Sequence, residues 1–236
     1  MIPWVQLGKA AIPGGGEVRL MRRGAEFSIR LGVKELMNSR ISGSEEALAT
    51  LACARIHERP RPRVLIGGLG MGFTLRAALG ALSADARIEV AELIPAVAQW
   101  AESEMAEIFA GSLQDPRVRL ELTDVAKLIV ASGATYDAIL LDVDNGPEGF
   151  TRLANDRLYD ARGLAAARAA LKPGGVFAVW SSGRDRKFTQ RLRDAGFATD
   201  EVATRARGAC GGARHTIWIA TRPKARDPAG RRNESL

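Results

Sequence analysis

The segment Arg63–Gly72 constrains the fold more than any other stretch of the sequence. Its letters, RVLIGGLGMG, place the short apolar run Val64–Ile66 directly before a turn with four glycines in six positions. A helical stretch, FTLRAALGAL, follows at once. A buried strand, a glycine turn and a helix form the first unit of a nucleotide-binding α/β sheet. Glycine suits such a turn because the backbone bends sharply and lets a ligand approach closely.

An acid follows the next predicted strand at the position that such a sheet needs. The run IEVA ends at Glu92, twenty positions after Gly72. A carboxylate at a strand end can accept two hydrogen bonds from ribose hydroxyls, so the sequence predicts a bound nucleoside cofactor. The glycines are spaced Gly68-x-Gly70-x-Gly72, one residue tighter than the dinucleotide fingerprint. This spacing disfavours a nicotinamide oxidoreductase and resembles the S-adenosylmethionine loop of Rossmann-like methyltransferases.

Length and composition favour one α/β domain with a small appendage. The chain has 236 residues, of which 46% are hydrophobic, enough for a sizeable core. No apolar run approaches a membrane span, the N-terminus lacks a signal-peptide pattern, and the two cysteines form no CxxC motif. A cytoplasmic protein with free thiols is therefore expected. Two histidines are too few for a histidine-rich metal site, and no metal is predicted.

The basic charge does not by itself indicate nucleic-acid binding. The net charge is +7, and residues 222–236 carry five basic and two acidic residues, which gives +3. This tail has no apolar face and is predicted to be flexible. The remaining charge is dispersed, and aromatic residues do not alternate with it as a stacking surface would require. Binding of nucleic acid is therefore disfavoured, and a small-molecule substrate is expected.

Alternating strand and helix patterns predict a parallel sheet with helices on both faces. We expect a small N-terminal β element over 1–43, a Rossmann-like domain over 44–221 and the tail after it. The first helix is predicted over Ser44–Ile56 with Ser44 as its cap, and another helix over Pro95–Phe109. Lys172–Gly175 is expected to close a helix before the strand Val176–Trp180. Two late strands suggest an antiparallel hairpin at one sheet edge.

The motifs from about Ser44 to Ser181 resemble those of the spermidine synthase-like family. The similarity rests on VLIGGLGMG, VAELIP, LTD, AILLDVDNGPEGF and LYDARGLAAARAALKPGGVFAVW. It implies a seven-stranded Rossmann-like methyltransferase fold behind a small N-terminal β domain. It also implies binding of S-adenosylmethionine or its decarboxylated form.

The resemblance also implies roles for particular residues. Gly68 and Gly70 would line the sulfur and amino-acid side of the cofactor, within a loop that Gly72 completes. Glu92 would bind the ribose, Asp124 would lie near the adenine amine, and Asp142 would face the reacting centre. From the residues alone, Asp124 has the alternative of capping the helix that begins at Val125.

The chain departs from the polyamine synthases of this family at two places. Gly70 stands where those enzymes carry an aspartate that holds the donor amine. Ser44-Glu45-Glu46 replaces a Tyr-His-Glu segment that contacts the diamine, so only Glu46 is retained. These departures favour methyl transfer to a small, amine-bearing acceptor, with aminopropyl transfer from the decarboxylated donor as the alternative.

Two acids at the end of the fourth central strand are the predicted catalytic residues. Asp142 and Asp144 are two positions apart, at the sheet end where such folds bind ligands. An amine nucleophile must be neutral, and alkylamines have a pKa near ~10, so a nearby carboxylate can orient the ammonium and accept its proton. Asp144 has the alternative of a simple turn residue. A homodimer is an alternative to a monomer.

Overall fold

The computed structural model describes residues 2–13, 15–143 and 157–224. Two sheets organise these residues. The first is a four-stranded antiparallel meander in which each strand pairs only with its sequence neighbours. Its strands, β1 to β4, are Val5–Ala11, Glu17–Arg23, Glu26–Leu31 and Lys34–Asn38.

The second sheet has seven strands and forms the centre of the molecule. Its strand order is β10-β11-β9-β8-β5-β6-β7, and β11 runs in the direction opposite to the other six strands. This arrangement confirms the predicted α/β fold and the antiparallel hairpin at one edge. In chain order, β5 to β11 are Arg63–Gly67, Arg87–Glu92, Val118–Leu122, Tyr136–Leu141, Leu171–Ser181, Ala198–Arg205 and Arg214–Thr221.

Helices cover both faces of this sheet because its strands are apolar on both sides. In β5, Val64 and Ile66 pack into one buried cluster and Leu65 into the other, as the alternation of side chains in a strand requires. The helices α1 to α7 are Gly43–Ala54, Phe73–Ala81, Pro95–Glu102, Ala106–Phe109, Val125–Ala131, Ala161–Ala170 and Arg186–Asp194. Among the described residues, none of the helices has the length and apolar character to cross a membrane.

The sequence prediction of the first helix was wrong about its cap. Helix α1 begins at Gly43, and Ser44 lies inside it, fully buried. The Ser44 hydroxyl bonds side chains instead of the helix backbone. The predicted helix Pro95–Phe109 was also wrong, because it divides into α3 and α4. At the break, the Trp100 carbonyl accepts the Met105 N–H at 2.8 Å, and both side chains are buried.

The predicted strand Val176–Trp180 is longer than expected at its start. The Gly174 N–H donates to the Arg222 carbonyl at 2.8 Å, and the Arg222 N–H donates to the Gly175 carbonyl at 2.8 Å. Residues 172–175 therefore continue β9 beside the end of β11 and do not act only as a turn that closes a helix. Most of the predicted tail, from residue 225 onward, lies outside the described residues.

Candidate functional site

A cavity lies where the carboxyl ends of β5, β6, β7 and β8 meet the N-terminal sheet. It encloses about 190 Å³. This is more than ten times the ~10–15 Å³ that holds one water molecule. Ligands bind at this end of parallel α/β sheets, so the position agrees with the predicted cofactor site.

The glycine loop forms one wall of the cavity. Gly68 and Gly70 both line it, with φ angles of +92° and +52°. A Cβ on Gly68 would lie 2.5 Å from the carbonyl oxygen of Asp142, so only glycine lets the loop and β8 approach this closely. Gly72, which was predicted to belong to the cofactor loop, packs elsewhere. It precedes α2 with a φ of +76°, and a Cβ there would meet the Phe109 ring at 2.5 Å.

Glu92 ends β6 and lies at the cavity, as the sequence predicts. Its carboxylate accepts the N–H of Leu69 at 3.0 Å and that of Ile94 at 2.8 Å, so it ties the glycine loop to the end of the strand. Burial raises the pKa of Glu92, and these backbone hydrogen bonds oppose that rise. Each carboxylate oxygen has two acceptor sites, which leaves capacity for a ligand hydroxyl.

Asp124 serves the role of a helix cap and also lines the cavity. One carboxylate oxygen accepts the Ala126 N–H at 2.9 Å at the start of α5. Both alternatives that the sequence left open are therefore compatible with its position. The second oxygen is the one that could contact a ligand, since the first is held by the helix.

Asp142 follows β8 directly and lines the same cavity. Its Oδ2 accepts the Thr74 hydroxyl at 2.7 Å. Burial raises the pKa of Asp142 to about 6, against the lowering effect of the Thr74 hydrogen bond. Asp144, the second predicted catalytic acid, lies outside the described residues.

Glu45 is an acid of the cavity that the sequence analysis missed. It lies in the first turn of α1, and its side chain is 8% exposed. Burial raises its pKa to about 7, and the neighbouring charge of Asp142 adds to the rise. Glu46, the residue expected from the resemblance to contact a substrate, is exposed.

The apolar pattern of α1 contained the signal that distinguishes these two acids. Leu48, Ala49 and Ala52 are buried, and they lie three, four and seven positions after Glu45. That spacing defines one face of a helix, so it places Glu45 on the buried face and Glu46 beside it. A motif alignment alone could not have made this distinction.

The N-terminal sheet covers the cavity with apolar side chains. Five residues of its strands line the cavity, namely Val18, Ile29, Leu31, Leu36 and Met37, and Ile12 joins them from the loop between β1 and β2. This sheet packs closely against Trp100 of α3 at Gly8 in β1. A Cβ on Gly8 would lie 2.5 Å from the Trp100 indole, so the absence of a side chain allows the contact. Trp180, at the end of β9, borders the cavity, and its indole N–H has no acceptor among the described residues.

The polar lining of the cavity is acidic. Four carboxylates face it, and none of the lining residues that the structure describes is a lysine, arginine or histidine. Such a site favours a cationic ligand, because an unpaired anion in it would be desolvated at high cost. Among the described residues, no cluster of three or more histidine, cysteine or acidic side chains forms a metal site.

Comparisons with known proteins agree with this architecture. Residues 44–187 match the model of the spermine/spermidine synthase domain. A polyamine aminopropyltransferase of Korarchaeum cryptofilum is 29% identical over 126 residues, which are 53% of this chain and 37% of the relative. Putrescine N-methyltransferase 2 of Nicotiana attenuata is 36% identical over 121 residues, which are 50% of this chain and 30% of the relative.

A solved structure extends the likeness to almost the whole chain. Spermidine synthase from Thermotoga maritima superimposes with a TM-score of 0.73 at 18% identity, over 93% of this chain and 74% of that one. At this identity the likeness concerns the fold. The names of these two relatives do not support the preference for methyl transfer that the sequence departures suggested, and the chain spans only about a third of the length of each relative. By the domain match over most of its length, the chain belongs to the spermine/spermidine synthase domain family.

Proposed function

We propose that this protein transfers an aminopropyl group from decarboxylated S-adenosylmethionine to a small amine acceptor. The observation that carries the proposal is the acidic cavity, which offers carboxylates and, among its described residues, no basic side chain. The decarboxylated donor presents a sulfonium and an ammonium. S-adenosylmethionine adds a carboxylate, which would need a cationic or N–H partner to be buried there.

In this proposal three of the four acids have separate tasks. Glu92 binds the ribose hydroxyls, Asp124 accepts a hydrogen bond from the adenine amine, and the loop at Gly68 and Gly70 lies beside the sulfur and its chain. These are the positions expected from the family resemblance, and the cavity lining supports them. Asp142, held by Thr74, faces the acceptor nitrogen.

The chemistry requires a neutral amine and a positioned carbon. Asp142 accepts a proton from the acceptor ammonium, and the freed lone pair attacks the carbon next to the sulfonium sulfur. A nitrogen–carbon bond forms as the carbon–sulfur bond breaks, and its electron pair remains on sulfur as a neutral thioether. Because the leaving group is already activated, the protein contributes mainly position and desolvation.

Methyl transfer to an amine is the second candidate, and one feature favours it. Gly70 replaces the expected aspartate, and Met37 packs where that side chain would extend, with its Sδ 2.7 Å from an ideal Cβ. The match to a putrescine N-methyltransferase also supports this alternative. In that case the same Asp142 would serve the acceptor, and the donor would keep its carboxylate.

Calorimetry and mass spectrometry separate these functions. The purified protein is titrated with S-adenosylmethionine and with its decarboxylated form, and each donor is then incubated with putrescine and with simple alkylamines. We expect tighter binding of the decarboxylated donor and an aminopropylated product. A methylated product would replace the first proposal by the second, and failure of both donors to bind would refute both.

Two variants test the assignment of the base. Asp142→Asn should lower kcat by about 10²–10⁴-fold, the range for general acid–base catalysis, while donor binding changes less. Asp115→Asn removes an acid whose partner is Arg117, outside the cavity lining, and serves as the matched control. Equal activity of Asp142→Asn and the parent protein would exclude Asp142 as the base.

A further inference from the structure

A chain of hydrogen bonds connects β11, the second strand of the central sheet, to the cavity. The Ser44 hydroxyl lies 2.6 Å from Glu45 Oε2, and His215 Nδ1 lies 2.8 Å from the same hydroxyl oxygen. Ser44 is fully buried inside α1, and His215 lies near the start of β11. The two residues are 171 positions apart in sequence, so the chain forms only in the folded protein.

The direction of the hydrogen bonds in this chain follows from counting protons. A serine hydroxyl has one proton, and an ionised carboxylate can only accept. When Glu45 is ionised, the Ser44 proton therefore points to Glu45, and the Ser44 oxygen accepts a hydrogen bond from the Nδ1–H of His215. Burial lowers the pKa of His215, so at neutral pH its imidazole has a single N–H, and this chain requires it on Nδ1.

The imidazole is also fixed in orientation. Its ring meets the Trp180 ring edge-on, with centroids 4.8 Å apart and planes at 75°. Trp180 itself borders the cavity. His215 thus has one edge against a cavity residue and one nitrogen on the hydroxyl that holds Glu45.

We infer that His215, acting through Ser44, is a positioning residue that favours the ionised form of Glu45 and directs it into the cavity, where Glu45 provides a second anionic contact for the acceptor ammonium. The inference deepens the proposed function and rests on it for the identity of the acceptor as an amine. Glu45 would then bind the acceptor ammonium, and Asp142 would accept its proton.

The charges around Glu45 explain why such support is needed. Asp142, from the end of β8, and Glu46, from α1 itself, both raise the pKa of Glu45, in addition to burial. The hydrogen bond from Ser44 opposes them. For His215, burial is the cause that lowers the pKa. Loss of the donor at position 215 would free the Ser44 hydroxyl to turn away, and Glu45 would then protonate at a higher pH.

Three variants of His215 and Ser44 give a readout that a purely structural role would not produce. In His215→Phe and Ser44→Ala, the acid limb of kcat/KM for the amine should move upward by roughly one pH unit, the shift that loss of about 1.4 kcal/mol of hydrogen bonding produces. His215→Asn should largely restore the parent profile, because its amide nitrogen can donate from the position of Nδ1. His57→Asn changes the exposed histidine and is the control. An unshifted limb in His215→Phe would overturn the inference.

Nuclear magnetic resonance tests the chain without any enzymatic activity. The protein has two histidines, so ¹⁵N-labelled imidazoles give two resolvable spin systems, and His57 is an internal reference. We expect the Nδ1–H tautomer at His215 and a change of its nitrogen shifts in Ser44→Ala with those of His57 unchanged. An Nε2–H tautomer at His215 in the parent protein would overturn the inference. If the tautomer is as expected but no amine is alkylated, the proposed function is refuted, whereas the hydrogen bonds that link His215, Ser44 and Glu45 are supported.

Discussion

The Sδ atom of Met37 lies 2.7 Å from the position that a Cβ on Gly70 would occupy. One residue belongs to the N-terminal sheet and the other to the glycine loop of the central sheet. The contact means that the loop is closed by a side chain from the other sheet at the position where the family's polyamine synthases carry an acid. It also shows that an acid could not be added at Gly70 without movement of Met37.

This contact predicts a non-additive result for Gly70 and Met37. Gly70→Asp alone should not improve binding of decarboxylated S-adenosylmethionine, since Met37 occupies the space. Gly70→Asp combined with Met37→Ala should bind that donor at least about tenfold more tightly than Gly70→Asp, because a charge-assisted hydrogen bond contributes roughly 1.5–3 kcal/mol. Calorimetry of the two single variants and of the double variant measures how far the effects of the two substitutions on donor affinity depend on each other. If the effects of the two substitutions on donor affinity simply add, Met37 does not control donor binding at residue 70.

Glu92 is predicted to control donor affinity through one carboxylate with several partners. Glu92→Gln should weaken donor binding by roughly 1.5–3 kcal/mol, because the amide group presents N–H donors toward backbone N–H groups and ribose hydroxyls. Calorimetric titration with either donor measures this affinity. Glu107→Gln, at an exposed position of α4, is the control. Unchanged affinity in Glu92→Gln would remove Glu92 from the ribose site.

The stability of the protein should depend on pH through Glu45. Its pKa is about 7 in the folded protein against 4.5 for the unperturbed group, so the folded state binds the proton more tightly than the unfolded state. This contribution is fully present below pH 4.5 and is lost as the pH rises through about 7. The loss should reach roughly 3–4 kcal/mol, since one pKa unit corresponds to about 1.4 kcal/mol.

Denaturant titrations from pH 4.5 to 8 measure this effect. In Glu45→Gln the part of the decline that belongs to Glu45 should disappear, leaving the part due to Asp142 and Glu92, whose pKa values are also raised. Glu58→Gln, at an exposed glutamate, should follow the parent protein. A parent-like decline in Glu45→Gln would mean that Glu45 is not the buried acid responsible.

Asp137 provides a prediction about the fold alone. At the start of β8 its carboxylate accepts Arg59 at 2.7 Å, Lys172 at 2.6 Å and the Arg63 N–H at 2.8 Å. Asp137→Asn should destabilise the protein by roughly 1.5–3 kcal/mol, since it weakens hydrogen bonds between charged groups and leaves the partly exposed Arg59 and Lys172 without their anion. Donor affinity should change little, because the cavity is at the opposite end of β8. A large loss of affinity with normal stability would contradict this separation.

Local pattern was sufficient to predict the central sheet. The apolar run before Gly67, the glycine turn and the acid at position 92 belong to one short stretch, and each follows directly from strand and turn chemistry. The same holds for Asp142, which ends an apolar strand. These features needed no knowledge of what lies across the molecule.

Contacts between distant segments account for what the sequence did not reveal. Serine at position 44 predicts a helix cap because helix starts favour serine, yet the Ser44 side chain contacts His215 from the last strand. Residues 172–175 were taken for a turn, yet they pair with Arg222. Glu45 was overlooked because it becomes a site residue only when α1 packs beside the end of β8. In each case the deciding partner lies far away in sequence.

The N-terminal meander has a consequence for how this site can change over time. All its strand pairs are between consecutive strands, so its own pairing does not depend on the donor-binding loops. It nevertheless supplies the apolar cover of the cavity. Substitutions on that cover can therefore alter the size and shape of the cavity while the strand ends of the central sheet stay intact. Met37 is the exception, because it contacts the glycine loop. Under the proposed function, the other cover positions could vary with the acceptor while the donor contacts are kept.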